Sequence, residues 1–275
     1  MPQLLALLSA YVIWNLDPVI ADLAGFELRW YGLLFTGGIV VSYRVVRKNF
    51  RQAGLLDTLF DSLAVALLVG MLVGMRLGHF LFYEPLALVE RPLEVLLPVS
   101  FSPEFRLVGY QGLASHGGVI GLLLAVGWFV RRHNSVSKAF VLNQLATAVP
   151  LAGGFIRLGN LMNSEIVGQP AGVPWAFVFV SVDALPRHPT QLYEALGYFA
   201  IFGLLYGWRQ RGTFRPPMRL FGLALILLAG WRFLMEFFKA DQVAFEQALW
   251  LNMGQWLSLP FVIAGVVILF SFRRQ

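Results

Sequence analysis

Seven long apolar stretches follow one another along the chain, separated by shorter polar segments. Each has about 20 residues, the length that a helix needs to cross a bilayer. They lie near residues 29–46, 60–82, 113–131, 139–158, 190–208, 219–238 and 253–271. An eighth apolar stretch, residues 4–14, is too short to cross, and we interpret it either as a helix lying on the membrane or as a frayed tail. The pattern predicts an all-α polytopic membrane protein with seven transmembrane helices, folded as one integral membrane domain over residues 1–275.

Basic residues gather in alternate loops between these stretches. The loops rich in basic residues contain Arg44, Arg47, Lys48, Arg51, Arg131, Arg132, Lys138, Arg209, Arg211, Arg215, Arg219, Arg273 and Arg274. Loops rich in lysine and arginine stay in the cytoplasm. The charge pattern therefore predicts seven spans with the N-terminus outside and the C-terminus in the cytoplasm. The first residues lack the basic start and small-residue cleavage site of a signal peptide, so we expect none to be removed.

The two longest loops, residues 84–112 and 160–189, fall on the predicted external side. Both contain proline and glycine, and both belong to the same membrane domain. The second loop includes an alternating run from Trp175 to Val180, which predicts a short strand outside the membrane. No internal repeat is visible of the kind that marks transporters built from inverted halves.

Composition supports a membrane protein and excludes several kinds of chemistry. Of the 275 residues, 58% are hydrophobic and 13% are charged, whereas soluble domains carry about 25% charged residues. The chain has no cysteine, which excludes disulfides, a thiolate metal site and a cysteine nucleophile. The four histidines have no spacing typical of metal ligands. We therefore expect no metal, no cofactor and no nucleic-acid partner.

Arg157 is the most informative of the ionisable residues within the apolar stretches. Such residues cost about 2.5–3.5 kcal/mol each at a helix centre and often mark a functional site. Arg157 and Asn160 are three apart and share a helix face, with Asn163 and Glu165 just beyond. One interpretation is a structural arginine–glutamate pair that joins helices. The other is a site for an anionic headgroup, because a guanidinium binds phosphate through two parallel hydrogen bonds.

A second arginine, Arg232, stands four residues before Glu236 in the sixth stretch. At this spacing the two side chains can pair along the helix and neutralise each other. Alternatively, Glu236 orients Arg232 towards a substrate phosphate.

His116 lies in a run of small residues, from Gly112 to Gly121. The spacing alone favours a structural histidine, although a histidine is also suited to act as a general base near neutral pH. At the start of the fifth stretch, Gln191 and Glu194 share a helix face, either to cap the helix or to line a site. Arg76 and His79 share another face, either as interfacial anchors or as contacts to lipid headgroups.

Most of these polar residues belong to the predicted external half of their helices. Their convergence would bring two arginines, a histidine and several amides together, which suits an anion and a proton transfer. A transporter or channel would also explain buried charges. The missing repeat and the clustering of charges near one leaflet argue against that class.

The same segments, in this order, resemble the prolipoprotein diacylglyceryl transferase family. The resemblance covers nearly the whole chain, and its most specific element is the run from Arg157 to Glu165. The matching runs are Arg29–Gly32, Arg76–Tyr83, His116–Gly121, Arg157–Glu165, His188–Glu194, Arg232–Phe237 and Met253–Pro260. The resemblance implies an enzyme of the bacterial cytoplasmic (inner) membrane, with its active site towards the external, periplasmic side.

The reaction that the resemblance implies is transfer of the sn-1,2-diacylglyceryl group of phosphatidylglycerol to a cysteine thiol. That cysteine lies in the lipobox of a preprolipoprotein signal peptide, and glycerol phosphate is released. The partners are then these two substrates and the surrounding membrane lipids. A non-catalytic lipid-binding relative is the alternative within the family. It is disfavoured because His116, Arg157 and Arg232 are all present.

By position, the resemblance implies a role for eight residues. His116 matches the histidine that deprotonates the thiol, and Arg157 and Arg232 match arginines that hold or stabilise the phosphate. The polar residues that would line the site are Tyr31, Asn160, Glu165, Glu194 and Glu236. The sequence departs from the commoner family pattern at Ser115, Asn143 and Leu228, where many members have Phe, Asp and Tyr, so no role is carried over to these three.

Overall fold

The computed structural model describes residues 11–23, 26–96, 99–100, 106–107, 115–212, 218–240 and 250–271. Its seven long helices coincide with the seven apolar stretches, and two short helices lie in the loop that follows the second stretch. The helices are α1 (Trp30–Gln52), α2 (Asp57–Tyr83), α3 (Ala87–Glu90), α4 (Pro92–Leu96), α5 (Ser115–Arg132), α6 (Lys138–Met162), α7 (Thr190–Gln210), α8 (Arg219–Met235) and α9 (Met253–Ser271). A 3₁₀ turn, Glu236–Phe238, continues α8.

Four of the long helices are long and apolar enough to cross a membrane. They are α2, α6, α9 and α8 together with its 3₁₀ extension. The remaining long helices, α1, α5 and α7, stand where spans are predicted, and their crossing of the membrane stays a prediction.

Short strands show that the chain is mostly helical and not all-α. The strands are β1 (Val12–Trp14), β2 (Val19–Leu23), β3 (Phe26–Arg29), β4 (Val99–Ser100), β5 (Arg106–Leu107), β6 (Phe177–Phe179) and β7 (Pro186–Arg187). Strand β6 pairs in parallel with β1 and antiparallel with β7, whereas β2–β3 and β4–β5 are antiparallel pairs.

Strand β6 confirms the short strand predicted between Trp175 and Val180. At the N-terminus, by contrast, a helix over residues 4–14 is wrong for Val12–Trp14, which form β1. Their backbone pairs with Phe177–Phe179 of the loop between α6 and α7, a long-range partner that the local apolar pattern does not reveal. Residues 4–10 lie outside the described residues.

The chain divides into two compact units. The first consists of Met1–Val46 and Asn143–Gln275, and the second of Arg47–Leu142. In the second unit, α2 and α5 pack through glycines spaced four residues apart, the small-residue pattern that lets membrane helices approach closely. A Cβ atom on Gly70 would lie 2.7 Å from the carbonyl oxygen of Gly121, so no larger residue fits there.

The second unit also contains Arg76, which is buried. Its Nε donates to the Val95 carbonyl at 2.9 Å and one terminal nitrogen donates to the Glu94 carbonyl at 2.6 Å. The guanidinium carbon lies 4.7 Å from the centre of the Phe80 ring. Arg76 therefore fastens α4 to α2. This is neither of the predicted surface roles, because only 7% of the residue is exposed.

In the first unit, α7 and α8 pack around a core that includes Tyr198, Ile201 and Leu205. Leu228 packs against this core. Asn143 accepts a hydrogen bond from the backbone N–H of Phe221 at 3.0 Å, which satisfies a donor in the first turn of α8. Two of the departures from the family pattern thus have structural explanations. The third, Ser115, begins α5, and its side chain lies outside the description.

Candidate active site

Arg157, near the end of α6, connects two helices of the first unit. Its Nε lies 3.0 Å from a carboxylate oxygen of Glu194 on α7, and the Arg157 side chain is 14% exposed. One terminal nitrogen donates to the Asn160 amide oxygen at 3.2 Å, as the spacing of three predicts. Tyr31 of α1 packs against the same turn, where Gly159 leaves room for its ring.

Glu165 folds back onto α6 just after the helix ends. It accepts hydrogen bonds from the side-chain amides of Asn160, at 3.1 Å, and Asn163, at 2.8 Å. The residues on either side, Ser164 and Ile166, have φ angles of 54° and 55°. Non-glycine residues rarely adopt this left-handed conformation, and such backbone tends to occur at functional sites. The sharp turn that it produces directs the Glu165 carboxylate towards Asn160.

The polar residues at the start of α7 hold the chain that follows α6. Thr190 donates to the Ile166 carbonyl at 2.9 Å, and the Gln191 amide donates to the Glu165 carbonyl. No side chain caps the helix, so the capping interpretation of this cluster is wrong. Glu194, one turn further, is 0% exposed and faces Arg157.

Lys239 belongs to the same cluster of charged residues as Glu194 and Glu236, although the sequence did not lead us to predict it. Its ammonium nitrogen lies 3.1 Å from Glu194 Oε1 and 2.8 Å from Glu236 Oε1, and its side chain is 4% exposed. The 3₁₀ turn explains the second contact, because residues three apart eclipse each other in a 3₁₀ helix. The spacing of three between Glu236 and Lys239, at the edge of the sixth apolar stretch, could have indicated this pair.

Arg232 is the most accessible cation of the cluster. Its side chain is 43% exposed, and its Nε lies 3.9 Å from Glu236 Oε1, the outer limit of an ion pair. The other oxygen of Glu236 accepts a hydrogen bond from the Asn252 amide at 3.2 Å, next to Gly254, where a side chain would collide with the carboxylate. Glu236 is therefore held mainly by Lys239 and Asn252, and the predicted pairing along the helix is loose.

Together these contacts form one continuous polar network in the first unit. Its members, in order of contact, are Asn163, Glu165, Asn160, Arg157, Glu194, Lys239, Glu236 and Arg232. The structure thus brings together Tyr31 and six of the other predicted residues. It also contains the arginine–glutamate pair of the structural interpretation, between Arg157 and Glu194. It contains three cations, Arg157, Lys239 and Arg232, and three carboxylates, Glu165, Glu194 and Glu236, so its formal charges balance. The half-exposed guanidinium of Arg232 suits an anionic ligand.

His116 belongs to the second unit, as the second residue of α5. Its side chain lies outside the described residues, so its predicted role as a base stays a prediction. Within the described part of the chain, no group of three histidine, aspartate or glutamate residues is arranged to hold a metal ion.

Comparison with known proteins agrees with the resemblance noted in the sequence. The family model for prolipoprotein diacylglyceryl transferase matches residues 18–271. A phosphatidylglycerol–prolipoprotein diacylglyceryl transferase of Bacteroides fragilis is 42% identical over 265 residues, covering 95% of each chain. Proteins with the same name from Tolumonas auensis and Chloroherpeton thalassium are 42% and 39% identical, over 96% and 97% of this chain and 98% and 96% of theirs. The chain therefore belongs to the prolipoprotein diacylglyceryl transferase family.

Proposed function

We propose that this chain transfers the sn-1,2-diacylglyceryl group of phosphatidylglycerol to the cysteine thiol of a prolipoprotein. Proteins named phosphatidylglycerol–prolipoprotein diacylglyceryl transferase match almost the whole length of this chain. The single observation that carries the proposal to a site is the half-exposed guanidinium of Arg232, at the end of a network of charged residues that also contains Arg157 and Lys239. That arrangement suits a lipid whose one charged group is a phosphate.

The acceptor is the lipobox cysteine of a preprolipoprotein signal peptide. The chain has no cysteine of its own, which agrees with a thiol that arrives with the substrate. Nucleic acid has no part in this reaction.

The reaction is a substitution at the sn-3 carbon of the diacylglyceryl group. The thiol gives its proton to His116, and the sulfur attacks the carbon to form a C–S bond. The C–O bond to the phosphate breaks, and glycerol phosphate leaves with the electron pair. A thiol has a pKa of about 8.5, so a base or nearby positive charge raises the fraction of thiolate at neutral pH.

Arg157 and Arg232 stabilise the leaving group. The phosphate carries one negative charge as a diester and gains a second as it leaves. Fixed guanidinium groups in a dry pocket stabilise such developing charge without having to reorganise. Tyr31, Asn160, Glu165, Glu194 and Glu236 line the site and fix the two arginines.

All seven long helices cross the bacterial cytoplasmic membrane, with the N-terminus outside and the C-terminus in the cytoplasm. The segregation of basic residues into alternate loops supports this orientation. The end of α6, the start of α7 and the end of α8 then face the external side, where a secreted precursor presents its cysteine.

A reconstituted reaction tests the function directly. The purified protein is mixed with phosphatidylglycerol and a synthetic lipobox peptide, and the peptide mass is followed. We expect the mass to increase by one diacylglyceryl group on cysteine, with release of glycerol phosphate. A peptide with serine in place of cysteine is the control. Unmodified cysteine peptide after prolonged reaction would overturn the proposal.

A further inference from the structure

The ammonium group of Lys239 is buried between two carboxylates at the centre of the network. With 4% of its side chain exposed, it cannot extend its charge to water in the way that interfacial lysines do. A buried ammonium is costly unless paired, and here Glu194 and Glu236 pair it at 3.1 and 2.8 Å.

The backbone around Lys239 is fixed as well. Gln169 donates to the Phe238 carbonyl at 2.9 Å and Ala240 donates to the Val167 carbonyl at 3.2 Å. Lys239 itself forms a bridge with Gly168. Hydrogen bonds between two backbone segments, residues 167–169 and 238–240, therefore fix the position of the lysine next to the two carboxylates.

The distances show which cation neutralises each carboxylate. Glu236 lies 2.8 Å from Lys239 but 3.9 Å from Arg232, so its charge is compensated mainly by the lysine. Glu194 contacts Arg157 on one oxygen and Lys239 on the other. Without Lys239, the two carboxylates would have only the two arginines as counter-charges, so the positive charge of the arginines would be used to compensate the carboxylates.

We propose that Lys239 is a positioning residue for the transfer reaction: by holding Glu194 and Glu236, it keeps the positive charge of Arg157 and Arg232 available for the phosphate. This inference rests on the proposed function for its chemistry. Because negative charge grows as the phosphate leaves, the loss of Lys239 slows the chemical step more than it weakens binding of phosphatidylglycerol.

The test compares four variants of the full-length protein: Lys239→Met, Lys239→Arg, Glu236→Gln and the double variant Lys239→Met/Glu236→Gln. We expect Lys239→Met to lower kcat at least about tenfold while KM for phosphatidylglycerol changes less than about threefold. Lys239→Arg keeps the charge and retains most of the activity. The double variant removes one charge of each sign, so its kcat returns to within about threefold of Glu236→Gln alone.

Two results would overturn the proposal. One is wild-type kcat in Lys239→Met. The other is a double variant as slow as Lys239→Met while Glu236→Gln is active, which would mean that the ammonium contacts the substrate itself. If Lys239→Met does not fold, the comparison of the double variant with Glu236→Gln still decides between compensation and direct contact.

A binding measurement separates failure of this inference from failure of the proposed function. Affinity for soluble glycerol phosphate is measured by calorimetry for the same variants. We expect weaker binding in Lys239→Met and recovery in the double variant relative to Glu236→Gln. If the wild type transfers nothing to peptide, the proposed function falls while this comparison still tests Lys239. Unchanged affinity in Lys239→Met would count against the lysine whatever the reaction is.

Discussion

Each of the two units buries an arginine near one end of an apolar helix, but the two arginines have different partners. In the second unit, Arg76 donates to the backbone carbonyls of Glu94 and Val95 and packs on the Phe80 ring. In the first unit, Arg157 faces the Glu194 carboxylate and the Asn160 amide. Carbonyl groups are neutral and fixed, whereas carboxylates belong to a chain of charges that ends at a half-exposed guanidinium.

An arginine within an apolar stretch is therefore best interpreted from the groups that it contacts. The carbonyl partners of Arg76 connect two segments of the fold. Carboxylate partners hold the charge of Arg157 in a balanced network, which a ligand phosphate can join. Both arginines lie near one end of an apolar stretch. Their partners, and not their burial, therefore indicate which arginine has a structural role and which has a functional role.

Arg157→Ala has the largest expected effect. It removes a phosphate-binding guanidinium and leaves the Glu194 carboxylate buried beside Lys239 alone, so we expect transfer to fall about 10³-fold. Lipid transfer to the lipobox peptide measures the loss. Arg157→Lys keeps the charge but not the two-pronged geometry, and it should recover only a small part of the rate.

The control for this comparison is Arg132→Ala, at the exposed end of α5. It should transfer lipid at the wild-type rate and insert into membranes as Arg157→Ala does. Wild-type turnover in Arg157→Ala would show that this arginine does not stabilise the phosphate.

His116→Gln tests whether the reaction needs a residue of the second unit. If His116 takes the thiol proton, its loss should lower kcat/KM about 100-fold near neutral pH. The rate should then rise with pH up to about 8.5, where the thiol ionises without help. Rates equal to those of the wild type between about pH 6 and 9 would show that His116 is not the base.

The sequence predicted the helices better than the connections between them. Hydrophobic length and charge segregation suffice to find seven helices, because each depends on local composition. Strand β1 was not predicted, since its pairing partner β6 lies about 165 residues further along the chain. The role of Arg76 was missed for the same reason: its carbonyl partners belong to a short helix after the turn.

For the candidate site, the sequence predicted the residues but not their order of contact. Spacing was enough for Arg157 and Asn160, which share one face of α6. The spacing of Arg232 and Glu236 predicted a close ion pair along the helix. The helix instead tightens into a 3₁₀ turn there, and Glu236 pairs more closely with Lys239. The 3₁₀ turn is followed by backbone hydrogen bonds of Phe238 and Ala240 with Val167–Gln169, a long-range pairing that no local pattern indicates.

Arg76→Met tests the structural role of the buried arginine in the second unit. It leaves the buried carbonyls of Glu94 and Val95 without this donor, which we expect to cost about 2–4 kcal/mol of stability. Thermal unfolding in detergent measures the loss, with Arg131→Met at an exposed position as the control. The protein that remains folded should turn over within about threefold of wild type. A specific activity as low as that of Arg157→Ala would contradict the structural role.

Asp183→Asn has the smallest expected effect, because it concerns a partly exposed aspartate–arginine pair in the loop between α6 and α7. Hydrogen bonds from Arg187 hold the pKa of the Asp183 carboxyl below its usual range, and the carboxylate raises the pKa of Arg187 in turn. Since a depressed pKa stabilises the folded state above the unfolded pKa, about 3.9, this contribution is present at neutral pH and is lost as the pH falls below about 4. We expect Asp183→Asn to lower the free energy of unfolding by less than about 1 kcal/mol at pH 7, since the side chain is 31% exposed, and to approach the wild type near pH 3.

Thermal unfolding of both proteins between pH 3 and 7 checks this. The control is Asp17→Asn, because Asp17 lacks an arginine partner within the described residues. A stability difference that does not shrink on acidification would show that Asp183 acts through its turn, where it also accepts from the Leu185 N–H at 3.1 Å, and not through the charge of Arg187.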